Sequence, residues 1–210
     1  MIALLIFGVG LLSVAALQGV SKRANYEALQ RTTASYLAMD MLERMRTNKR
    51  RLNRYIQGNM ELGGGTQGVP GILCNSVADN CDGIDMSRVD LWEWERRLDG
   101  VAEDQAGAAT GGLVSPTACL DGPPGGGTGT YTVAIAWRGV TELTNPAASD
   151  CGEDSGLYGD NNEFRPGVVC AVPGSTTAEA PGPQSALATD PQMEALVSSI
   201  TGQIMDQLKS

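Results

Sequence analysis

Five cysteines, at positions 74, 81, 119, 151 and 170, are the side chains of this 210-residue sequence with the most distinctive chemistry. None falls in a Cys-x-x-Cys spacing and the chain has no histidine, so common zinc ligand sets cannot be completed. Oxidation to structural disulfides is the chemistry they point to, which sets the body outside the cytoplasm. Cys74 and Cys81 enclose a short loop and are expected to close it locally, stabilising the fold by about 2 kcal/mol. The odd count leaves one thiol free or paired between chains. Lack of histidine also removes Ser-His-Asp and Cys-His catalysis and imidazole pH switching. Carboxylates or Ser-Lys pairs remain, but Lys22, Lys49 and Lys209 stand beside no convincing serine site. The sequence reads as a non-enzyme with no cofactor and no metal.

Three other motifs have plainer readings. Asp79, Asp82 and Asp85 in DNCDGID cluster as calcium ligands do, but the EF-hand spacing is unmet and its terminal glutamate is absent. GPPGGGTGTY lacks the Lys-Ser/Thr pair of a phosphate loop and leads into a strand, so it reads as a turn. Arg44, Arg46, Lys49, Arg50, Arg51 and Arg54 form a basic cluster with no interleaved aromatic platform. At a helix C-terminus such cations are favoured by the helix dipole, so a solvated face is expected and nucleic acid is not.

The elements that carry these residues divide sharply. Residues 1–60 hold 9 Lys/Arg and 3 acids, whereas residues 61–210 hold 6 and 21, a basic rod joined to an acidic body. Only 4 of 27 glycines and none of the 10 prolines precede residue 61, so the first part is free to be continuous helix. Residues 1–17 contain no charge and predict, with residues 18–21, a bilayer-spanning helix. A cleaved signal peptide would need a basic region before the apolar run. From residue 22 to 57 the helix is expected to continue as an amphipathic rod, its apolar stripe being Leu29, Thr33, Leu37, Met41, Met45, Leu52 and Ile56. One helix over residues 1–57 would be about 85 Å long. Lys22 and Arg23, taken alone, would place the body in the cytoplasm by the positive-inside rule, against the disulfide reading.

The body, residues 62–173, predicts an α+β head. A Gly-rich connector spans 62–71. Asp85 is expected to cap a helix over 86–99 that turns Leu91, Trp94, Leu98 and Val101 toward the core, with Gly100 beyond its end. Trp92 lies off that stripe, and core packing and contact with a partner are both open to it. Strands are predicted at 113–120, 131–138 and 164–172, forming an antiparallel sheet laid against a helix. In the central strand Tyr131, Val133, Ile135 and Trp137 make a bulky face opposite a small one. If Cys119 and Cys170 flank that strand they are about 9.5 Å apart, too far to bond, so Cys119 pairs with Cys151 and Cys170 is left free. Residues 174–190 read as linker. Residues 191–208 read as an amphipathic helix whose face, Met193, Leu196, Val197, Ile200, Ile204 and Leu208, docks on its own domain or on a neighbouring subunit.

MIALLIFGVGLLSVAALQ followed by RTTASYLAMDMLERMRTN at 31–48 resembles the PilV-type minor pilins of type IV pili. Asp90, Trp94 and Leu98 look like the family's DxxxWxxxL helix, and CLDG followed by YTVAIAWRG like its cysteine-bearing and central strands. The resemblance implies a pilin-like fold, a long N-terminal α-helix against an antiparallel head. It implies a structural role in priming pilus assembly near the tip, with other minor pilins, the major pilin and an adhesin as partners. The helix would sit in the inner membrane before assembly, with the head extracytoplasmic and later extracellular. In such proteins a basic leader, a cleavage-site glycine, a phenylalanine and a glutamate precede the residue matched by Met1. A leader of that kind would supply cytoplasmic positive charge and remove the topology conflict. Gly8, Gly10, Ala15 and Ala16 are the small residues expected to permit close helix packing in membrane or fibre. The alternatives are a type II secretion minor pseudopilin, or a membrane-anchored extracytoplasmic enzyme or binding protein.

Overall fold

The structure, a computed structural model, describes residues 2–56, 61–101, 104–105, 108–109, 111–143 and 149–174; within these, residues 2–6, 8, 9, 104, 105, 108 and 109 are described by backbone alone. The chain divides into units Met1–Thr177 and Ala178–Ser210. The expected linker and C-terminal helix, with Met193, Leu196, Ile200 and Ile204, lie outside the described residues.

Helix α1 runs Ile2–Thr47, 46 residues or about 69 Å. The rod expected to reach residue 57 is broken at Asn48, whose backbone leaves helical geometry (φ −115°, ψ 44°). A 3-10 turn, Lys49–Arg51, and a short helix α2, Leu52–Tyr55, follow. Tertiary bonding explains the break. The Asn48 amide donates to the Gly83 carbonyl at 2.6 Å and to the Tyr55 hydroxyl at 3.2 Å. A Cβ on Gly83 would come within 2.8 Å of Asn48 Oδ1, so the glycine opens the space the amide fills.

The buried stripe of α1 also departs from the expected one. Leu37, Met41 and Met45 are buried together with Ala34, Ala38 and Leu42, but Leu29 is 61 % exposed. Four residues advance a helix about 40° past a full turn, so a run of i+4 steps drifts off a fixed face. Gln30 occupies the core-facing position instead, bonding Gly112 O and Val114 N across 82 and 84 residues of sequence.

Helix α3, Gly83–Leu98, begins three residues earlier than expected and is capped by Asp82. Asp82 Oδ1 accepts from Ile84 N and Asp85 N, while Asp85 reaches back to Asp82 N at N3, a capping box. Those backbone donors hold the Asp82 carboxyl below its ordinary pKa. Leu91, Trp94 and Leu98 are buried as expected, whereas Val101 is exposed beyond the helix end. A two-residue hairpin, β1 (Asp104–Gln105) with β2 (Ala108–Ala109), follows.

The main sheet is antiparallel in the order β3-β4-β5, with β3 Thr117–Asp121, β4 Gly129–Ala136 and β5 Gly167–Gly174. All three strands differ by a few residues from the expected spans. The β3–β4 connection is a turn, as its glycines predict, with Gly125 and Gly126 at positive φ. Tyr131, Val133, Ile135 and Trp137 pack on α1 and α3 in a single core. Tyr131 lies between two glycines, since a Cβ at Gly122 or Gly174 would strike its ring at 2.6 or 2.4 Å. The other face of β4 is not open, because Ala134 and Ala136 are buried as well. It is closed by the segment after β4: Tyr158, fully buried, donates to Thr117 Oγ1 at 2.7 Å, and Arg165 donates to the carbonyls of Ser149 and Cys151.

Disulfides join Cys74 to Cys81 and Cys119 to Cys151, and Cys170 is a half-buried free thiol. Cys119 pairs in register with Ala134 and Cys170 with Val133, so β4 separates them as the strand-spacing argument requires.

Candidate functional site

Helix α1 carries two environments on one backbone. From Gln30 onward one face is sealed into the head. Before it, the described side chains from Phe7 to Leu29 are almost all exposed, Leu12 and Leu17 by 73 % and 71 %. The expected packing residues fall in this bare half: Ala15 and Ala16 are exposed, and a Cβ on Gly10 would meet nothing within 4 Å. Gly8 is seen only as helical backbone. Among the described residues no helix is long and apolar enough to cross a membrane. The uncharged run, however, starts at Met1 and includes residues described only by backbone or not at all. Tyr36 and Met39 extend the exposed apolar surface onto the outer side of the anchored half.

What anchors the other half is a set of buried polar contacts that sequence reasoning did not find. Trp94 Nε1 donates to the Leu37 carbonyl of α1 at 2.8 Å. Arg44 binds Asp40 and Asp90 at 3.1 and 2.9 Å, and Tyr55 donates to the other oxygen of Asp90 at 2.5 Å. Burial works against the Arg44 charge, but these two carboxylates outweigh it and raise its pKa. Burial, then the bond to Asp90, raises the Tyr55 phenol strongly. Burial raises that of Tyr158.

Glu95 is the least expected member. It is 1 % exposed, and its oxygens accept from Gly63 N, Thr66 N, Thr66 Oγ1 and Gln67 N. One turn further on, Asp99 accepts from Gly64 N and Gly65 N. Residues 62–67, read from sequence as a connector, form a cradle of backbone donors around two carboxylates. This answers the cost of burying a charge without a cation. Gly64 and Gly65 stand at φ 71° and 78°, the left-handed region that lets successive N–H groups converge. Burial dominates at Asp99 and raises its carboxyl despite the two N–H bonds. Its stabilising share is therefore present below the ordinary carboxylate value and lost as pH rises from there through the raised folded one. The legible signal was LGGGTQ upstream of a helix that places Glu95 beside Trp94.

Trp92 is half-buried with Arg96 stacked on its ring at 5.2 Å, so part of its face is already covered. Asp79, with Ser76, caps a short 3-10 turn, and Asp82 and Asp85 cap α3. Two clefts of about 330 and 340 Å³ lie on the head. The first is bordered by Glu61, Asp99, Thr66 and Ser155. The second runs between α1 (Glu27, Ala28, Arg31) and Trp137 and Leu143. Comparison of the chain with family models, curated proteins and solved structures gave no match.

Proposed function

We propose that this chain is a minor pilin, a structural subunit that helps prime type IV pilus assembly near the fibre tip beside other minor pilins, the major pilin and an adhesin. The observation that carries this reading is the division of α1: one continuous helix, half built into a disulfide-bonded head and half left as bare apolar surface. A bare apolar helix cannot remain in water. Held in the inner membrane it is covered by lipid; in a fibre it exchanges lipid for packing against neighbouring helices, where Gly8, Gly10, Ala15 and Ala16 allow close approach. The head then needs only to be a stable extracytoplasmic body, which the two disulfides support.

The test uses two strains. Deleting the gene should abolish or reduce twitching while enzyme secretion persists; the reverse outcome would favour the secretion pseudopilin. The Ala15→Leu/Ala16→Leu variant should still fractionate with the inner membrane but be lost from sheared fibres. Normal incorporation of that variant would defeat the packing argument.

A further inference from the structure

Charge on the head is separated along α1. At one end, where α1 gives way to α2, Arg46, Lys49, Arg50, Arg51 and Arg54 are exposed, with no acid between residues 46 and 54. Glu43 engages Arg46, and Arg51 lies near enough to Asp82 to lower its pKa. Lys49 and Arg50 have no side-chain partner among the described residues. At the other end, residues 139–163 contain six acids and no Lys or Arg, against two flanking cations that bond into the segment, Arg138 to the Leu157 carbonyl and the buried Arg165 to those of Ser149 and Cys151. Glu142, Asp150, Glu153, Asp154 and Asp160 are exposed, and of these only Glu153 has a cation within reach, Arg165 at 3.9 Å.

Strand β4 fixes these surfaces at opposite ends. Its first residues adjoin the turn whose Gly126 abuts Asn53 of α2, while Trp137 and Leu143 beyond its far end border the cleft against Ala24 and Arg31 of α1. The acidic segment reaches the strand at Ala134 and Ala136, through Cys151 and Tyr158, so five to seven strand steps from Gly129 separate the two surfaces by about 17 to 23 Å. Over that distance the two surfaces cannot neutralise each other within one chain. A second copy displaced along the α1 axis brings them together. We infer that the basic end of one copy docks on the acidic 142–160 surface of the next, a head-to-tail contact that repeats rather than closes when its rotation does not return to the start. Nucleic acid would also suit the basic end, but only a protein surface accounts for both ends at once.

The inference concerns the head and does not require the pilin reading, since association through bare α1 is apolar and survives high salt. The full-length chain in detergent, mixed with its nitrogen-15-labelled counterpart, is treated with a zero-length carbodiimide that joins amines to carboxylates. Three lysines make the map simple. Mixed-isotope links from Lys49 to the 142–160 segment are expected. Their yield should fall about tenfold between 0.1 M and 1 M salt, as the screening length shrinks from about 10 to 3 Å. Arg50→Glu should suppress the links, and mixing that variant with Asp154→Arg should restore them. Links confined to one chain, or indifferent to salt and to Arg50→Glu, would overturn the inference. So would absence of links while a short DNA duplex binds the wild type and not Lys49→Glu/Arg50→Glu. Mixed-isotope links through Lys22 report association through α1 and leave the two readings separable.

Discussion

The two halves of α1 share a backbone and differ in what they touch. Residues 30–47 meet Trp94, Leu98, Val133 and Ile135 and are fixed by polar contacts at Gln30, Leu37 O and Arg44. Residues 7–29 are mostly as apolar but meet almost nothing of their own chain. Helical structure is therefore no measure of contribution to stability. In the first half the described apolar side chains are left outside the core; in the second they hold the head together.

That contrast can be broken most directly at its strongest contact. Trp94→Ala should cost the head about 4 kcal/mol by removing a fully buried indole and its bond to α1. Leu12→Ala should change stability by less than about 0.5 kcal/mol. Urea unfolding of the two variants in detergent measures both, and equal losses would erase the distinction between the halves.

The next largest effect tests whether covalent closure of the head matters as much as its helix. Cys119→Ser/Cys151→Ser opens a loop of sequence separation 32 and should cost about 3 to 4 kcal/mol. Thermal melting of the double variant reads this directly. Of the smaller effects, Glu95→Gln should cost about 2 kcal/mol, because an amide presents one oxygen to a cradle built for two. Differential scanning calorimetry is the check, and a neutral result would mean that residues 62–67 hold their shape unaided.

A last effect is one of pH. Tyr55 and Tyr158 keep their protons in the folded head beyond the point at which unfolded tyrosines lose them. Their stabilisation is complete below about pH 10 and declines above it, as unfolded tyrosines ionise before the folded ones do. Tyr55→Phe should make the alkaline decline shallower, seen as a smaller fall in denaturation midpoint between neutral and alkaline buffer.

Much of this arrangement was legible in the sequence. A stretch free of glycine and proline, an alternating strand around Tyr131 and the spacing of cysteines on flanking strands gave the long helix, the sheet and both disulfides. Local patterns carry such information because they rest on backbone propensity and strand geometry. The break at Asn48 was not legible, since its cause is a side-chain amide finding Gly83, 35 residues away. Nor was the Glu95 cradle, whose donors are backbone N–H groups that every sequence possesses. The cap of α3 lies three residues before the expected one: DGID offers two aspartates, and the reciprocal capping box uses both, Asp82 first. For the candidate site, the apolar run and its small residues were evident, but that Leu29 and Tyr36 continue the exposed surface followed only from the position of the core.

Strand β4 extends along α1 from the α2 end toward the bare half, and both neighbouring strands pair with it antiparallel. Hydrogen bonds in such a ladder lie across the strands. A pull along α1 that enters the head through residues 30–47 would therefore load β3, β4 and β5 in shear, many bonds sharing the force, instead of peeling them apart singly. The Cys119–Cys151 bridge ties β3 to the segment covering the sheet, so that segment stays joined to the strand it covers. Under force applied along α1, the head would thus meet the load with its strands lengthwise to it.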